Sequence, residues 1–230
     1  MIKSHKAILL EFFLLCVALP TLIWTMDLGR HMFGFLWGAA IYTSFIWLRI
    51  AYTGVVWSQL SHKKNKFWAS FKEEWNWAAV TWDNMRPILV RWIIGTTIIC
   101  AFTAWYAPDR LFIIPREMPQ IIPFLVLAYP ILSALPQEFI FCSFFMKRYG
   151  HLFRHDWLKI LVSAIVFGYA HMLFINWVAP VFSFFGGLVF AYTYLKTRSL
   201  SLVTIEHSLY GNSIFLAGIG YYFYSGGIGQ

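Results

Sequence analysis

Seven apolar runs dominate the chain, at roughly residues 7–25, 32–52, 87–106, 119–146, 158–175, 178–195 and 200–224. Each is close to the ~20 residues that a helix needs to cross a hydrocarbon layer of about 30 Å. In that solvent every backbone N–H and C=O must be satisfied within its own segment, so the runs predict helices. The last run is long enough to break near Gly211, which makes seven or eight. The expected fold is therefore all-α, a polytopic transmembrane helical bundle forming a single integral membrane domain over 1–230. Composition agrees: 60% of residues are hydrophobic and 12% charged, about half the charged share of a soluble domain. The first run has no small-residue cleavage site before Asp27 and is read as a retained helix, not a signal peptide. Cys16, Cys100 and Cys142 all lie in apolar runs, which offers neither a disulfide framework nor a CxxC metal site.

The net charge of +8 is spread between the runs; it forms no single patch of the kind that binds nucleic acid. With the N-terminus in the cytoplasm, Lys3, Lys6, Arg49, Lys63, Lys64, Lys66, Lys72, Arg86, Arg91, Lys147, Arg148, Arg154, Lys159, Lys196 and Arg198 fall on the inner side, and Arg30, Arg110 and Arg116 on the outer. That asymmetry follows the positive-inside rule. The long connection at 53–86 mixes Lys63, Lys64, Lys66 and Lys72 with Trp57, Phe67, Trp68, Phe71, Trp75, Trp77 and Trp82. It reads as an interfacial amphipathic segment, rings at headgroup level and lysines towards anionic lipid, with a substrate-docking surface as the alternative.

A charged group at the bilayer centre costs at least ~2.5 kcal/mol, so each one asks for a partner or a function. Only Glu11, Glu138 and Glu206 among the acids, and His171 and His207 among the histidines, lie within apolar runs. Glu11, near the inner end of its helix, is expected to snorkel or pair with Lys6. Glu206 points about 100° away from its neighbour His207 and is expected to support the site. Glu138 stands nine residues from Lys147, His171 twelve from Lys159 and His207 nine from Arg198. At 1.5 Å per residue these lie roughly 13, 18 and 13 Å below the inner surface. Three helices thus bring ionisable groups to nearly one layer. Singly, His171 could be a histidine bonded to a neighbouring carbonyl and Glu138 a buried, neutral carboxyl. Together, a carboxyl and an imidazole can share a water and deprotonate it. His207 could then donate to an oxyanion, as Gly211 could through its backbone N–H and Asn212 through its amide. The same Glu138, His171 and His207 could alternatively ligate zinc, with water in the fourth position. No HExxH motif is present.

The stretches Pro136-Gln137-Glu138-Phe139-Ile140-Phe141-Cys142, Phe167-Gly168-Tyr169-Ala170-His171, Gly187 followed by Tyr194-Leu195-Lys196-Thr197-Arg198-Ser199-Leu200, and Glu206-His207-Ser208-Leu209-Tyr210-Gly211-Asn212 come in a telling order. Over Ile121 to Asn212 the chain resembles the CPBP family of intramembrane proteases, the CAAX proteases and bacteriocin-processing enzymes also called Abi proteins. The resemblance implies a catalytic core at about 121–212 and water activation by the glutamate motif, EExxxR. Gln137 stands at its first glutamate, Glu138 at its second and Cys142 at its arginine. It also implies that His171 holds the attacking water and that His207 serves the oxyanion. The family asparagine falls four residues after that histidine, where this chain has Gly211, with Asn212 one further on.

The implied activity is an intramembrane endopeptidase of the glutamate type, with zinc as a possible cofactor, acting on a membrane-embedded or lipid-linked protein or peptide. The implied setting is the inner or plasma membrane of a bacterium. Gln137 and Cys142 favour an alternative, a catalytically weakened member acting as a binding or maturation partner. A small transporter using Glu138 and His171 is a third reading, opposed by the lack of an internal repeat.

Overall fold

The structure is a computed structural model that describes residues 5–53 and 63–224. Among these described residues nine helices follow one another. α1 spans His5–Thr25, α2 Met32–Thr53, α3 Lys63–Trp75, α4 Trp82–Tyr106 and α5 Ile113–Glu117. α6 spans Pro119–Arg148, α7 Asp156–Ala170, α8 Val178–Thr197 and α9 Leu200–Ala217. Among the described residues six segments, those of α1, α2, α4, α6, α7 and α8, are long and apolar enough to cross a membrane. The protein is an integral membrane helical bundle.

α9 is the exception that organises the rest. It carries Glu206, His207, Asn212, Ser201, Ser208 and Ser213, and it packs against α4, α6 and α8. A helix this polar is poorly matched to lipid and is enclosed by its neighbours. Ser199 caps it by accepting from the Leu202 N–H at 3.1 Å, and the cap is fastened to the end of α3. There the Ser199 and Ser201 hydroxyls donate to the Trp75 carbonyl at 3.2 and 2.7 Å. The Asn76 amide in turn donates to the Thr197 carbonyl at 3.0 Å. The expected break near Gly211 does not occur. α9 runs unbroken through Gly211 and stops at Gly218, whose φ of 109° is left-handed. Gly211 has a different use: a Cβ there would lie 2.2 Å from the Tyr129 ring.

α7 and α8 pack tightly because small residues let their backbones meet. A Cβ at Gly187 would sit 2.9 Å from the Ala164 Cα. α6 is not a regular helix. Wide π turns at Pro130–Ala134 and Phe139–Phe144 flank the regular turn Leu135–Glu138. Pro130 and Pro136 lack the N–H of a regular ladder, and such turns re-aim side chains, often at functional positions.

Of the expected interfacial segment, residues 54–62 lie outside the described residues. The remainder forms α3, a 3₁₀ turn at Trp77–Ala79 and the start of α4, with Trp68, Trp77 and Trp82 exposed. Glu74 ties α3 into the bundle. Its carboxylate accepts from the Tyr194 hydroxyl and, at 3.3 Å, from the Trp47 indole.

Candidate active site

Glu138 and His207 are in direct contact. The His207 Nδ1 lies 2.6 Å from a Glu138 oxygen, and both side chains are buried, Glu138 at 1% exposure. With a carboxylate as partner, Nδ1 carries the proton and donates. On the far side of the ring, Nε2 lies 3.0 Å from the Tyr129 hydroxyl. The Phe190 ring stacks on the imidazole at a centroid distance of 4.6 Å. The imidazole is thus fixed in position, in plane and in tautomer.

His171 stands apart from that pair. It lies in the 3₁₀ turn His171–Phe174 that ends α7, and its Nδ1–H donates to the Phe167 carbonyl at 2.8 Å. That bond leaves Nε2 as the acceptor nitrogen. The Phe167 ring packs edge-on against both imidazoles, with centroids 4.7 Å from His171 and 5.7 Å from His207.

His171, His207, Tyr129 and Gln137 open onto a cavity of about 1210 Å³. Its wall is overwhelmingly apolar, and Arg91 is the one Asp, Glu, Lys or Arg side chain on it among the described residues. Phe33, Ile98, Phe124 and Phe185 on its rim are exposed, so it reaches the lipid-facing surface. Glu138 is not on the wall; it lies behind His207. Gln137 is, with its amide donating to the Ser133 hydroxyl at 2.8 Å and its carbonyl oxygen buried without a partner. Cys142, in the place of the family arginine, lies beside Glu138.

Asn212 is turned away from the cavity. Its amide donates to the Ser208 carbonyl at 2.9 Å, the helical i−4 position, and its oxygen has no partner. Because α9 stays regular through Gly211, nothing rotates Asn212 to the position four residues after His207. Glu206 bonds the Arg91 guanidinium at 2.8 Å, and the same arm of Arg91 donates to Thr193 at 3.0 Å. Glu11 pairs with Arg148, not with Lys6, through two bonds of 2.7 and 2.9 Å. Arg91 and Arg148 are therefore bound to Glu206 and Glu11, and neither is hydrogen-bonded to Glu138.

The set expected for zinc is not gathered as ligands. His207 has one nitrogen on Glu138 and the other facing Tyr129. Among the described residues no three His, Cys, Asp or Glu side chains are close enough to hold a metal. In this arrangement the residues do not fit a zinc ion.

Sequence reasoning missed Tyr129, Ser133 and Phe190. The first two had a signal: Tyr129, Ser133 and Gln137 recur every four residues along an apolar helix and all line the cavity. Phe190 had none, because one more phenylalanine in an apolar run is unremarked.

Residues 119–212 match the family model described as Type II CAAX prenyl endopeptidase Rce1-like. Over that segment, less than half of the chain, it is similar to the CPBP/CAAX intramembrane proteases. The matched segment runs from the start of α6 to Asn212 in α9, and so contains both halves of the Glu138–His207 pair, His171 and Tyr129. No curated protein matches the chain, and no solved structure does.

Proposed function

We propose that this protein is an intramembrane endopeptidase that hydrolyses a peptide bond of a membrane-associated substrate with histidine-activated water, Glu138 holding the second histidine in place. The observation that carries the reading is the division of the polar groups at the cavity. One imidazole, His171, presents an acceptor nitrogen there; the other, His207, is braced from behind by Glu138.

In this proposal the water loses its proton to the His171 Nε2. The unpartnered Gln137 carbonyl oxygen accepts the water's other hydrogen and helps to orient it. Its oxygen bonds to the scissile carbonyl carbon as the carbonyl electron pair moves onto the oxygen. On collapse the C–N bond breaks and the amine leaves with the proton held by His171. Glu138, expected from the sequence to be the base, becomes a positioning residue that holds the His207 ring on the electrophilic side. The apolar wall keeps water scarce, which strengthens each of these interactions. With the N-terminus cytoplasmic, the cut falls towards the inner leaflet, and a bacterial inner membrane is the setting.

A second reading is favoured by one observation: the residue that faces the cavity where the family has its first glutamate is the amide Gln137. An amide is no base, and a non-cleaving partner protein would need none.

The test is reconstitution of the purified protein in liposomes with a panel of labelled apolar peptides, products being read by mass spectrometry. Cleavage is expected in the wild type, with kcat/KM reduced 10²–10⁴-fold in His171→Ala, the range for removing a general base. Glu138→Gln should cost less. A wild type that cuts nothing, together with cleavage appearing in Gln137→Glu, would move the protein to the second reading.

A further inference from the structure

We infer that Tyr129, and not Asn212, is the side chain that donates to the oxyanion. This rests on the peptidase reading above. Three observations lead to it. The hydroxyl of Tyr129 is the end of a bonded chain, Glu138 to His207 at 2.6 Å and His207 to Tyr129 at 3.0 Å, and Tyr129 lines the cavity. The amide of Asn212 is held by the Ser208 carbonyl, and Asn212 is not on the cavity wall. The phenol is also given its place by the backbone: a Cβ at position 211 would lie 2.2 to 2.3 Å from its ring and hydroxyl, so only glycine admits the ring there.

The chemistry follows from the order of the chain. With Nδ1–H donating to Glu138, Nε2 accepts the Tyr129 O–H at rest, and rotation about the phenol C–O bond turns that O–H into the cavity when a more negative acceptor arrives. As the scissile carbonyl becomes tetrahedral, its oxygen gains the electron pair of the C=O bond and accepts that O–H. Tyr129 keeps its proton throughout; when the C=O bond reforms, the hydrogen bond weakens again. Phe215 and His207 both meet the Tyr129 ring edge-on, at 5.6 and 5.9 Å, and hold it in one rotamer, so the donor is oriented before the reaction begins. Ser133, one turn further along α6, occupies the rest of this polar row and is itself bonded by Gln137.

The experiment compares binding of a dansyl-labelled peptide of eight apolar residues with binding of its phosphinate isostere, whose tetrahedral centre carries an oxyanion. Both are titrated against the full-length protein in liposomes. The wild type should bind the phosphinate at least tenfold more tightly than the peptide. Tyr129→Phe, which keeps the ring, should lose most of that preference while binding the peptide as before, and should lose more of it than Asn212→Ala. Gly211→Ala, which displaces the phenol, should follow Tyr129→Phe. A Tyr129→Phe protein with undiminished preference, or an Asn212→Ala protein with the greater loss, overturns the inference and leaves the peptidase reading standing. A wild type with neither cleavage nor any preference for the phosphinate overturns both. Circular dichroism of each variant identifies those that fold.

Discussion

In α4 17% of the most apolar stretch is buried inside the protein, whereas in α8 the share is 44%. The two helices have similar hydropathy, so the difference lies in what covers them. α4 and the other helices before residue 119 give most of their apolar surface to lipid, and Ile41, Ile93 and Ile98 are among the exposed residues. α7, α8 and α9 give theirs to one another. Lipid accepts an apolar side chain of any shape, but a neighbouring helix accepts only one that fits. The family match covers the half where fit matters. The first half still reaches the site at two points: Arg91 of α4 neutralises Glu206, and Glu11 of α1 binds Arg148 at the end of α6.

That contrast is broken most severely where the halves are joined by charge. Arg148→Ala leaves the Glu11 carboxylate buried and without its bidentate partner, and should lower stability by about 3 kcal/mol, the usual cost of removing one member of a buried pair. The thermal midpoint in detergent should fall, and Arg148→Lys, which keeps the charge but loses the fork, should recover part of it. The next effect is expected within the second half. Gly187→Val pushes α8 away from Ala164 of α7 and should cost about 1–3 kcal/mol by overpacking. The smallest should come from the lipid-facing surface of the first half. Ile41→Ala, at 68% exposure, should stay within about 0.5 kcal/mol. A large loss there would mean that α2 is covered by another protein in the membrane and not by lipid.

Much of the bundle was legible because a spanning helix announces itself by length and apolarity. α9 was legible too, as the last apolar run, but its interior place was not: the run has the length of a span and a polarity that only enclosure by α4, α6 and α8 makes acceptable. The break near Gly211 was misplaced for a related reason. A glycine in a helix signals either a weak point or a close approach, and which it is depends on the neighbour. Here the neighbour is the Tyr129 ring.

At the site, an expected layer for Glu138, His171 and His207 could be counted from the basic anchors along each helix, because rise per residue is a local property. Which ionisable group meets which could not be counted, since that depends on the rotation and separation of helices far apart in the chain. The sequence by itself determined that the chain is helical and apolar enough to lie in a membrane, and it set an expected common depth for Glu138, His171 and His207. Only the tertiary structure decided that Glu138 stands behind His207, that Arg91 belongs to Glu206, that Asn212 faces its own helix and that Tyr129 ends the bonded chain. Those are contacts between residues as many as 115 positions apart, and a side chain's direction across such a distance is set by packing that no local pattern records.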